Sequence, residues 1–415
     1  MTTERKHLVW IAPVPWDGIP GTDRQLASAM TRHADVLWVD PPLSVVTPVR
    51  LRGENAGGLA PSLSRPAPGI TRLSTVALPG LTRPGIRVTT AALLRAQIRW
   101  ALRRLGARPA AVVSGYLEDV LGRWAPAVSV QYCTDDHVAG AGLMGLSARR
   151  LRAQERQALR RSDVVAVVSP TLAEHWAALG AAPVLIPNGC PDRSPCPDDQ
   201  AAGTGLRRPV AGLVGQLSER IDLDILIALS DAGFALLIVG PRAPRWEPER
   251  FAALVARPGV YYPGRVPAAD VPGYLAAADI GITPYTSSRF NQASFPLKTL
   301  EYLAAGRPVV SSDLPGARWL RADLAAADQA PAEIMALAST PAEFVSAARQ
   351  LTVPRDGAGE LWAAARRERC RAFALRHSWA RRADALAAAI GLHPSAPPAA
   401  DGASPEPGPG AQIRA

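Results

Sequence analysis

The segment SFPLKTLEYLAAGRPVVSS, residues 294–312, places one lysine and one glutamate three positions apart in a helical pattern. Its leucines repeat at helical spacing on one face, and Lys298 and Glu301 fall on another face. Ser294 is the predicted N-cap of this helix and Gly306 its predicted C-cap. An ammonium group beside free backbone amides in a first turn suits a phosphate, and a carboxylate one turn later suits two neighbouring hydroxyls. On spacing alone, a weak surface ion pair is the favoured interpretation.

The elements that must position this helix are short apolar strands, which alternate with longer helical patterns along most of the chain. The predicted strands are Leu8–Ala12, Val36–Val39, Ala111–Ser114, Ser129–Tyr132, Val164–Val168, Val184–Ile186, Val210–Val214, Ala235–Val239, Val260–Tyr262, Ile280–Thr283 and Val309–Ser312. The helical patterns include Asp23–His33, Leu146–Arg161 and Asp222–Ala232. This alternation predicts an α/β protein with doubly wound parallel sheets, covered by helices on both faces.

Composition divides the chain into two predicted Rossmann-like domains, residues 1–190 and 209–375. The stretch 191–208 is rich in Pro, Gly and Asp and has no periodicity, so it is predicted to be a linker. Residues 376–392 are predicted to form a helix that crosses back to the first domain. The Pro-, Ala- and Gly-rich residues 393–415 are predicted to be disordered.

The bulk properties favour a soluble globular protein in the reducing cytoplasm. The chain of 415 residues is 48% hydrophobic and contains four cysteines, none in a Cys-x-x-Cys pair. A signal peptide is not expected, and no apolar run is long enough to span a bilayer. The net charge of +10 lies mostly in residues 1–200, which suggests an anionic acceptor or peripheral contact with the anionic inner face of a membrane. Nucleic-acid binding is not expected, because no aromatic platform interleaves the basic residues.

Loops after the predicted strands of the second domain contain further candidates, since ligands of open parallel sheets bind beyond the carboxyl ends of the strands. Gly215 and Arg220 lie in VGQLSERID, Arg265 in YPGRV and Tyr285 in TPYTSSRFNQAS. Gly215 permits close approach of the backbone to a ligand. Arg220 could neutralise an anion together with Lys298.

In the first domain, QYCTDDHVAG directly follows a predicted strand, and its Tyr132, Asp135, Asp136 and His137 are expected to face the same crevice. A carboxylate beside an acceptor hydroxyl could take its proton. For Asp136 this role and the capping of a turn are both open, whereas capping is the favoured interpretation for Asp135. His137 is a candidate base or hydrogen-bond donor, although a lone histidine is more often structural.

The loop VPWDGIPGTDRQLA, residues 14–27, follows the first predicted strand and opens a helix. Its Gly18 and Gly21 could bring the loop against the donor or the acceptor, and its Asp17, Asp23 and Arg24 are candidate acceptor contacts of low specificity. The loop lacks the Gly-x-Gly-x-x-Gly spacing of a dinucleotide site.

The sequence DLD at 222–224 mimics an Asp-x-Asp metal motif, but it opens a helix, so capping is the favoured interpretation. No essential metal and no cofactor are expected.

Two segments resemble glycosyltransferases of the GT-B fold. LKTLEYLAAGRPVVSSDLPG resembles their nucleotide-sugar signature, and VVAVVSPTLAEHW…PVLIPNG resembles their crossover into the second domain. The pattern is most similar to bacterial cell-envelope transferases of the teichuronic-acid type and to the glucuronosyltransferase of xanthan assembly. The resemblance covers roughly residues 5–390 and implies two Rossmann-like domains facing a central cleft, the first for the acceptor and the second for the donor.

The resemblance also implies roles for particular residues. Lys298 would contact the donor diphosphate, Glu301 the ribose, Tyr285 the vicinity of the diphosphate and Arg265 the nucleobase loop. In the xanthan-type enzyme a Tyr-x-x-x-Asp motif ends in the general base, and its match here is Asp136.

The sequence departs from the large retaining family at two places. Ala293 stands where that family has a glutamate that contacts the transferred sugar. Gln216 and Arg220 are found in the glycine loop where that family has Arg and Lys. The donor sugar and the stereochemical outcome therefore cannot be copied from it.

The expected function is metal-independent transfer of a sugar, with a uronic acid among the candidates, from a UDP-sugar to a hydroxyl group. A lipid-linked glycan, a lipid phosphate and a specialised metabolite are the candidate acceptors. The alternatives are a nucleotide-sugar 2-epimerase of the same fold and a non-catalytic nucleotide-sugar-binding or membrane-scaffold protein.

Overall fold

A computed structural model describes residues 5–18, 21–44, 60–80, 84–142, 145–192, 202–328, 330–352 and 359–392. The strands in this part of the chain are β1 His7–Ile11, β2 Asp35–Val39, β3 Leu43–Ser44, β4 Ser62–Ala67, β5 Ile70–Ser74, β6 Val76–Ala77, β7 Pro109–Ser114, β8 Val128–Cys133, β9 Val164–Val167, β10 Val184–Leu185, β11 Val210–Val214, β12 Ala235–Val239, β13 Val260–Gly264, β14 Ile280–Thr283, β15 Val309–Ser312 and β16 Met335–Ala338. The α-helices are α1 Thr22–Met30, α2 Pro84–Arg104, α3 Ala148–Arg161, α4 Pro170–Ala178, α5 Leu223–Asp231, α6 Pro248–Val255, α7 Val271–Ala277, α8 Arg289–Ala293, α9 Leu297–Ala304, α10 Pro315–Ala327, α11 Pro341–Thr352, α12 Gly359–Leu375 and α13 Trp379–Ala389.

Strands β1, β2, β4, β5 and β7 to β10 form one eight-stranded sheet in the order β10-β9-β8-β7-β1-β2-β5-β4. All neighbours are parallel except β4 and β5, which form an antiparallel pair at the edge. The central strands are buried on both faces, which explains their continuous apolar sequences. The strand order reverses between β1 and β7, so their carboxyl ends open a crevice.

Strands β11 to β16 form a second sheet, which is fully parallel and has the order β13-β12-β11-β14-β15-β16. Numbered from β11, this order is 3-2-1-4-5-6, the doubly wound arrangement of a nucleotide-binding sheet. The reversal lies between β11 and β14. The loops after these two strands therefore surround a second crevice, and they contain Gly215 and Tyr285.

The prediction of two parallel, doubly wound sheets is confirmed, and four strands of the second sheet begin and end where the sequence predicted. Strands β3 to β6 and β16 were not predicted. Strands β4 and β5 form a largely polar hairpin that turns at Gly69, and β16 is only four residues long. The hairpin lacks the apolar run on which strand prediction depends, whereas the apolar run Met335–Ala338 was missed because so short a run does not distinguish a strand from a helix.

The chain passes between the two sheets and returns. Cys190 pairs with Ser378 in a parallel bridge, and the backbone amide of Trp379 donates to the carbonyl of Cys190. Helix α13 then lies against α1, where Nε2 of His33 is 2.9 Å from Oδ1 of Asp384. Of the predicted linker, residues 193–201 lie outside the described residues, as does the predicted tail 393–415. Among the described helices, none combines the length and the apolar character that crossing a bilayer requires.

Candidate active-site cleft

A cleft with a volume of about 400 Å³ lies between the carboxyl ends of the two sheets. Its first wall comes from the loops after β1 and β8 and from the start of α1. Its second wall comes from the loops after β11 and β14 and from the start of α9. Six of the predicted site residues line it, namely Gly21, Asp135, Gly215, Arg220, Tyr285 and Lys298. The other six, Asp17, Gly18, Asp136, His137, Arg265 and Glu301, are not in its lining.

The backbone of the second wall is built from two glycines in close contact. Gly215 directly follows β11 and Gly240 directly follows β12, with φ of +138° at Gly240. A Cβ atom at Gly240 would lie 1.9 Å from the carbonyl oxygen of Gly215, so no other residue fits there. At Gly215 a Cβ would lie 3.7 Å from Cε of Lys298, which places the lysine stem beside this loop.

Lys298 and Glu301 form an ion pair on α9, with Nζ of Lys298 2.6 Å from Oε2 of Glu301. The side chains are 28% and 22% exposed, so the pair is partly buried, and only Lys298 reaches the cleft lining. Burial lowers the pKa of Lys298, but the charge and hydrogen bond of Glu301 outweigh it, and the net pKa is raised. The ammonium group therefore stays charged at neutral pH.

The predicted N-cap of this helix was wrong by two residues. Ser294 ends α8 as its C-cap, and α9 begins after Pro296. The hydroxyl of Ser294 donates to the carbonyl of Phe290 at 3.0 Å and accepts from Nη2 of Arg220 at 3.2 Å. Because it already has these two partners, it leaves the first amides of α9 without a side-chain cap.

Arg220 is held in the second wall by several contacts. Its Nε donates to Oδ1 of the buried Asn291 at 2.8 Å. Its guanidinium carbon lies 4.8 Å from the ring centroid of Phe290 and 5.5 Å from that of Tyr285. Burial is the main cause that raises the pKa of Tyr285, which therefore stays neutral. Sequence reasoning missed Asn291, although its position in the TPYTSSRFNQAS loop could have suggested it.

In the first wall, two neighbouring aspartates have different surroundings. Oδ1 of Asp136 accepts from the backbone amide of Ala139 at 2.8 Å, so this carboxylate caps a turn. Asp135, for which capping was favoured, lines the cleft instead. Burial lowers the pKa of His137, which lies outside the lining. Tyr132 was wrongly expected to face the crevice, because it lies fully buried against Trp10.

The loop after β1 contributes less than predicted. Oδ2 of Asp17 accepts from Nη1 of Arg72 at 2.7 Å, an ion pair outside the cleft lining. The amide of Gly18 closes a turn onto the carbonyl of Pro15. Gly21 is the N-cap of α1 and lines the cleft.

Asp23 was predicted only as an acceptor contact of low specificity, but its surroundings are unusual. It lies in the first turn of α1, is 5% exposed and lines the cleft. Its Oδ1 accepts from Nε1 of Trp10 at 3.1 Å. Burial raises the pKa of Asp23 to about 6, assisted by the charge of Asp135 and opposed by the Trp10 hydrogen bond.

Arg265 and Asp222 lie outside the cleft lining. Arg265 is exposed on the loop after β13. Asp222 is the N-cap of α5, where its carboxylate accepts from the amide of Asp224 at 3.0 Å, as the capping interpretation of DLD predicted. Among the described residues, no group of three or more His, Cys, Asp or Glu side chains could hold a metal ion.

Comparison with known proteins identifies the architecture. Residues 208–352 match the family described as glycosyl transferases group 1. The chain superposes on sucrose-phosphate synthase from Thermosynechococcus elongatus with a TM-score of 0.68, at 17% identity, over 93% of this chain and 98% of that one. This chain has the GT-B fold. The fold predicted from the sequence and the resemblance to GT-B glycosyltransferases are both confirmed.

Two further relatives of this GT-B chain have descriptions that bear on function. It is 38% identical over 119 residues to the putative teichuronic acid biosynthesis glycosyltransferase TuaH of Bacillus subtilis (strain 168). That alignment spans 28% of this chain and 30% of the relative. A structure of Anabaena Alr3699/HepE in complex with UDP superposes with a TM-score of 0.62, at 16% identity, over 93% of this chain and 99% of that one.

Ala293, where the sequence departs from the large retaining family, lies outside the cleft lining. Ala293 is buried, and its carbonyl accepts a hydrogen bond from the hydroxyl of Ser169, the N-cap of α4. This position therefore joins the two halves of the chain and offers no side-chain oxygen to a sugar.

Proposed function

We propose that this protein is a glycosyltransferase that moves a sugar from a nucleoside diphosphate, with UDP as the nucleotide, to a hydroxyl group of an acceptor. The observation that carries the proposal is the position of Lys298. Its charged amine lies in the first turn of α9, beside the glycine loop at the reversal point of a 3-2-1-4-5-6 sheet. A phosphate at this place meets free helix amides and a fixed cation together.

The arrangement suits the departure of a diphosphate. As the bond between the anomeric carbon and the diphosphate breaks, negative charge grows on the leaving oxygen. Lys298, Arg220 and the amides of α9 are fixed before the reaction, so they can stabilise this charge without reorganisation. We expect Glu301, one turn behind, to accept hydrogen bonds from a ribose once a phosphate competes for Lys298. The proposal includes no essential metal, and activity is expected to persist in EDTA.

The choice of UDP and of the acceptor class is supported by the relatives. The description of the Anabaena structure includes UDP, and that of TuaH includes teichuronic acid biosynthesis. We therefore place a lipid-linked cell-envelope glycan first among the acceptors, ahead of a lipid phosphate or a specialised metabolite. UDP-glucuronic acid belongs in the donor screen for the same reason. Such an acceptor implies work at the inner face of the membrane, which sedimentation with phosphatidylglycerol vesicles would test.

A thermal-shift screen tests the donor site first. The screen would compare UDP-, GDP- and dTDP-sugars on wild type and on Lys298→Ala, with Lys6→Ala as a matched control on the exposed surface. We expect a shift of several degrees with UDP-sugars that is retained in Lys6→Ala and lost in Lys298→Ala. No shift with any nucleotide, in folded protein, would contradict the proposal.

Turnover then separates the alternatives. Release of UDP without added acceptor supports a transferase that uses water slowly. Binding without release, with and without envelope lipid extracts, would indicate a non-catalytic binder. Exchange of the proton at C2 of the sugar into solvent would indicate the 2-epimerase.

A further inference from the structure

The first wall of the cleft contains a buried carboxylate whose chemistry the proposed function leaves unassigned. Asp23 is 95% buried, yet it belongs to the cleft lining. Its Oδ1 is held by the indole of Trp10 at 3.1 Å. Its Oδ2 receives no hydrogen bond from another residue in the described part of the chain. One oxygen is thus fixed by Trp10, and besides the backbone amide of Asp23 itself, no described residue competes with a cleft ligand for the other.

The neighbouring elements are shaped around this carboxylate. Gly115 follows β7 at the reversal point of the first sheet, and a Cβ there would lie 2.7 Å from Oδ1 of Asp23. Only glycine leaves room for the carboxylate. The fully buried Trp10 in β1 fixes the rotamer through its indole. A side chain that a glycine and a buried tryptophan both accommodate is pre-organised for one position.

The charges around Asp23 leave it ionisable in the neutral range. Asp135 faces it from the loop after β8 and raises its pKa. The other titratable neighbours are Tyr116, Tyr132 and Cys133, whose pKa values burial raises, so they are neutral at pH 7. Arg24 points elsewhere, with its guanidinium 4.4 Å from the ring centroid of Trp16. Within the described ranges Asp23 therefore has no cationic partner, and a carboxylate that accepts a proton does not need one.

We infer that Asp23 is the general base of the proposed glycosyl transfer and that it replaces the role first predicted for Asp136. The acceptor hydroxyl gives its proton to Oδ2 of Asp23 while its oxygen bonds to the anomeric carbon. The bond from that carbon to the diphosphate breaks, and its electron pair leaves with the UDP held by Lys298 and Arg220. Asp135 is a positioning residue that keeps the pKa of the base high. This inference rests on the proposed function.

The test compares Asp23→Asn with Asp136→Asn. It uses a UDP-sugar that binds in the thermal-shift screen and from which wild type releases UDP. Asparagine can still accept from Trp10, so the fold is expected to persist, and circular dichroism would check it. A positioned base is typically worth about 10²–10⁴-fold. We expect Asp23→Asn to lower UDP release by at least about 10²-fold with the affinity for UDP unchanged, and Asp136→Asn to stay within about threefold of wild type.

A pH profile provides a readout that a structural role would not move. The acid limb of kcat/KM should reflect a group with a pKa of about 6 in wild type. In Asp135→Asn this limb should shift to lower pH, because the charge that raises the pKa of Asp23 is removed. Near-normal turnover in Asp23→Asn, or loss of turnover only in Asp135→Asn, would overturn the inference while leaving the transferase intact. If no donor shows turnover but UDP binds, the proposed function itself fails and the base with it.

Discussion

The two walls of the cleft differ in the sign of their charge and in how it is held. The second wall presents Lys298 and Arg220. Glu301 on the same helix holds Lys298, and Asn291 in α8 holds Arg220. The first wall presents Asp23 and Asp135, and no cation pairs with Asp23 among the described residues. A departing diphosphate needs fixed positive charge, whereas a base needs a carboxylate that can gain a proton. The division of charge therefore matches a division of work across the cleft.

The largest effect is expected from a change in the backbone of the second wall. Gly240→Ala places a methyl group within 1.9 Å of the carbonyl of Gly215 at a φ of +138°. The ends of β11 and β12 must then move apart, at a cost of several kcal/mol. Gly115→Ala in the first wall meets side-chain atoms of Asp23 and Pro13 and no backbone atom at such short range, so it should cost less. Urea unfolding of both variants measures the difference, and equal costs would contradict this contrast between the walls.

Removing the charge of Asp23 should stabilise the protein while it disables the reaction. The folded-state pKa of about 6 lies above the ordinary value of 3.8, so the cost of ionising Asp23 in the folded protein grows from about pH 4 and is complete above about pH 6. Asp23→Asn should therefore raise the free energy of unfolding at pH 8 by up to about 3 kcal/mol, since one pKa unit corresponds to about 1.4 kcal/mol. The gain should vanish as the pH falls below about 4. Thermal unfolding at pH 4 and pH 8 measures this, and a pH-independent difference would argue against a raised pKa.

The two walls differ in how much of each could be predicted, because the second is built from neighbouring residues in the sequence and the first from distant ones. The strand–loop–helix sequence from 280 to 312 is continuous, so spacing made Lys298 and Glu301 candidates, and the resemblance to GT-B glycosyltransferases supplied their expected roles. Asp23 depends on Trp10, Gly115 and Asp135, which come from three other segments and meet only in the folded sheet. A carboxylate in a first helical turn is common, and nothing in its local sequence separates a base from an ordinary N-terminal acid. Asp135 and Asp136 are adjacent, so only the turn geometry could decide which one faces the cleft.

A moderate effect is expected from Glu301→Gln in the second wall. The amide keeps the shape but loses the charge that offsets burial at Lys298, so the pKa of Lys298 should fall. It also weakens the proposed contact with the ribose. We expect KM for the UDP-sugar to rise by about tenfold, or about 1.4 kcal/mol, with a smaller change in kcat. An unchanged KM would place the ribose elsewhere.

The smallest effect is expected from Asp136→Asn. The amide oxygen can replace the carboxylate as acceptor for the amide of Ala139, so the turn should lose at most about 1 kcal/mol of stability. Chemical denaturation would measure it. A loss of more than about 2 kcal/mol would show that the charge of Asp136 does more than cap the turn.

The return of the chain from the second sheet to α1 has a consequence for any attempt to divide the molecule. Because α13 lies on α1 and Trp379 pairs with Cys190, the last described helix belongs in space to the half that begins the sequence. A first fragment that ends in the linker would lack its covering helix and expose the buried face of α1. Two complementary fragments would therefore reassemble only if α13 were part of the first one. A circular permutant that opens the chain in the linker would keep α13 joined to the first half. The two halves therefore have separate sheets, but the end of the described chain packs on the half in which the sequence begins.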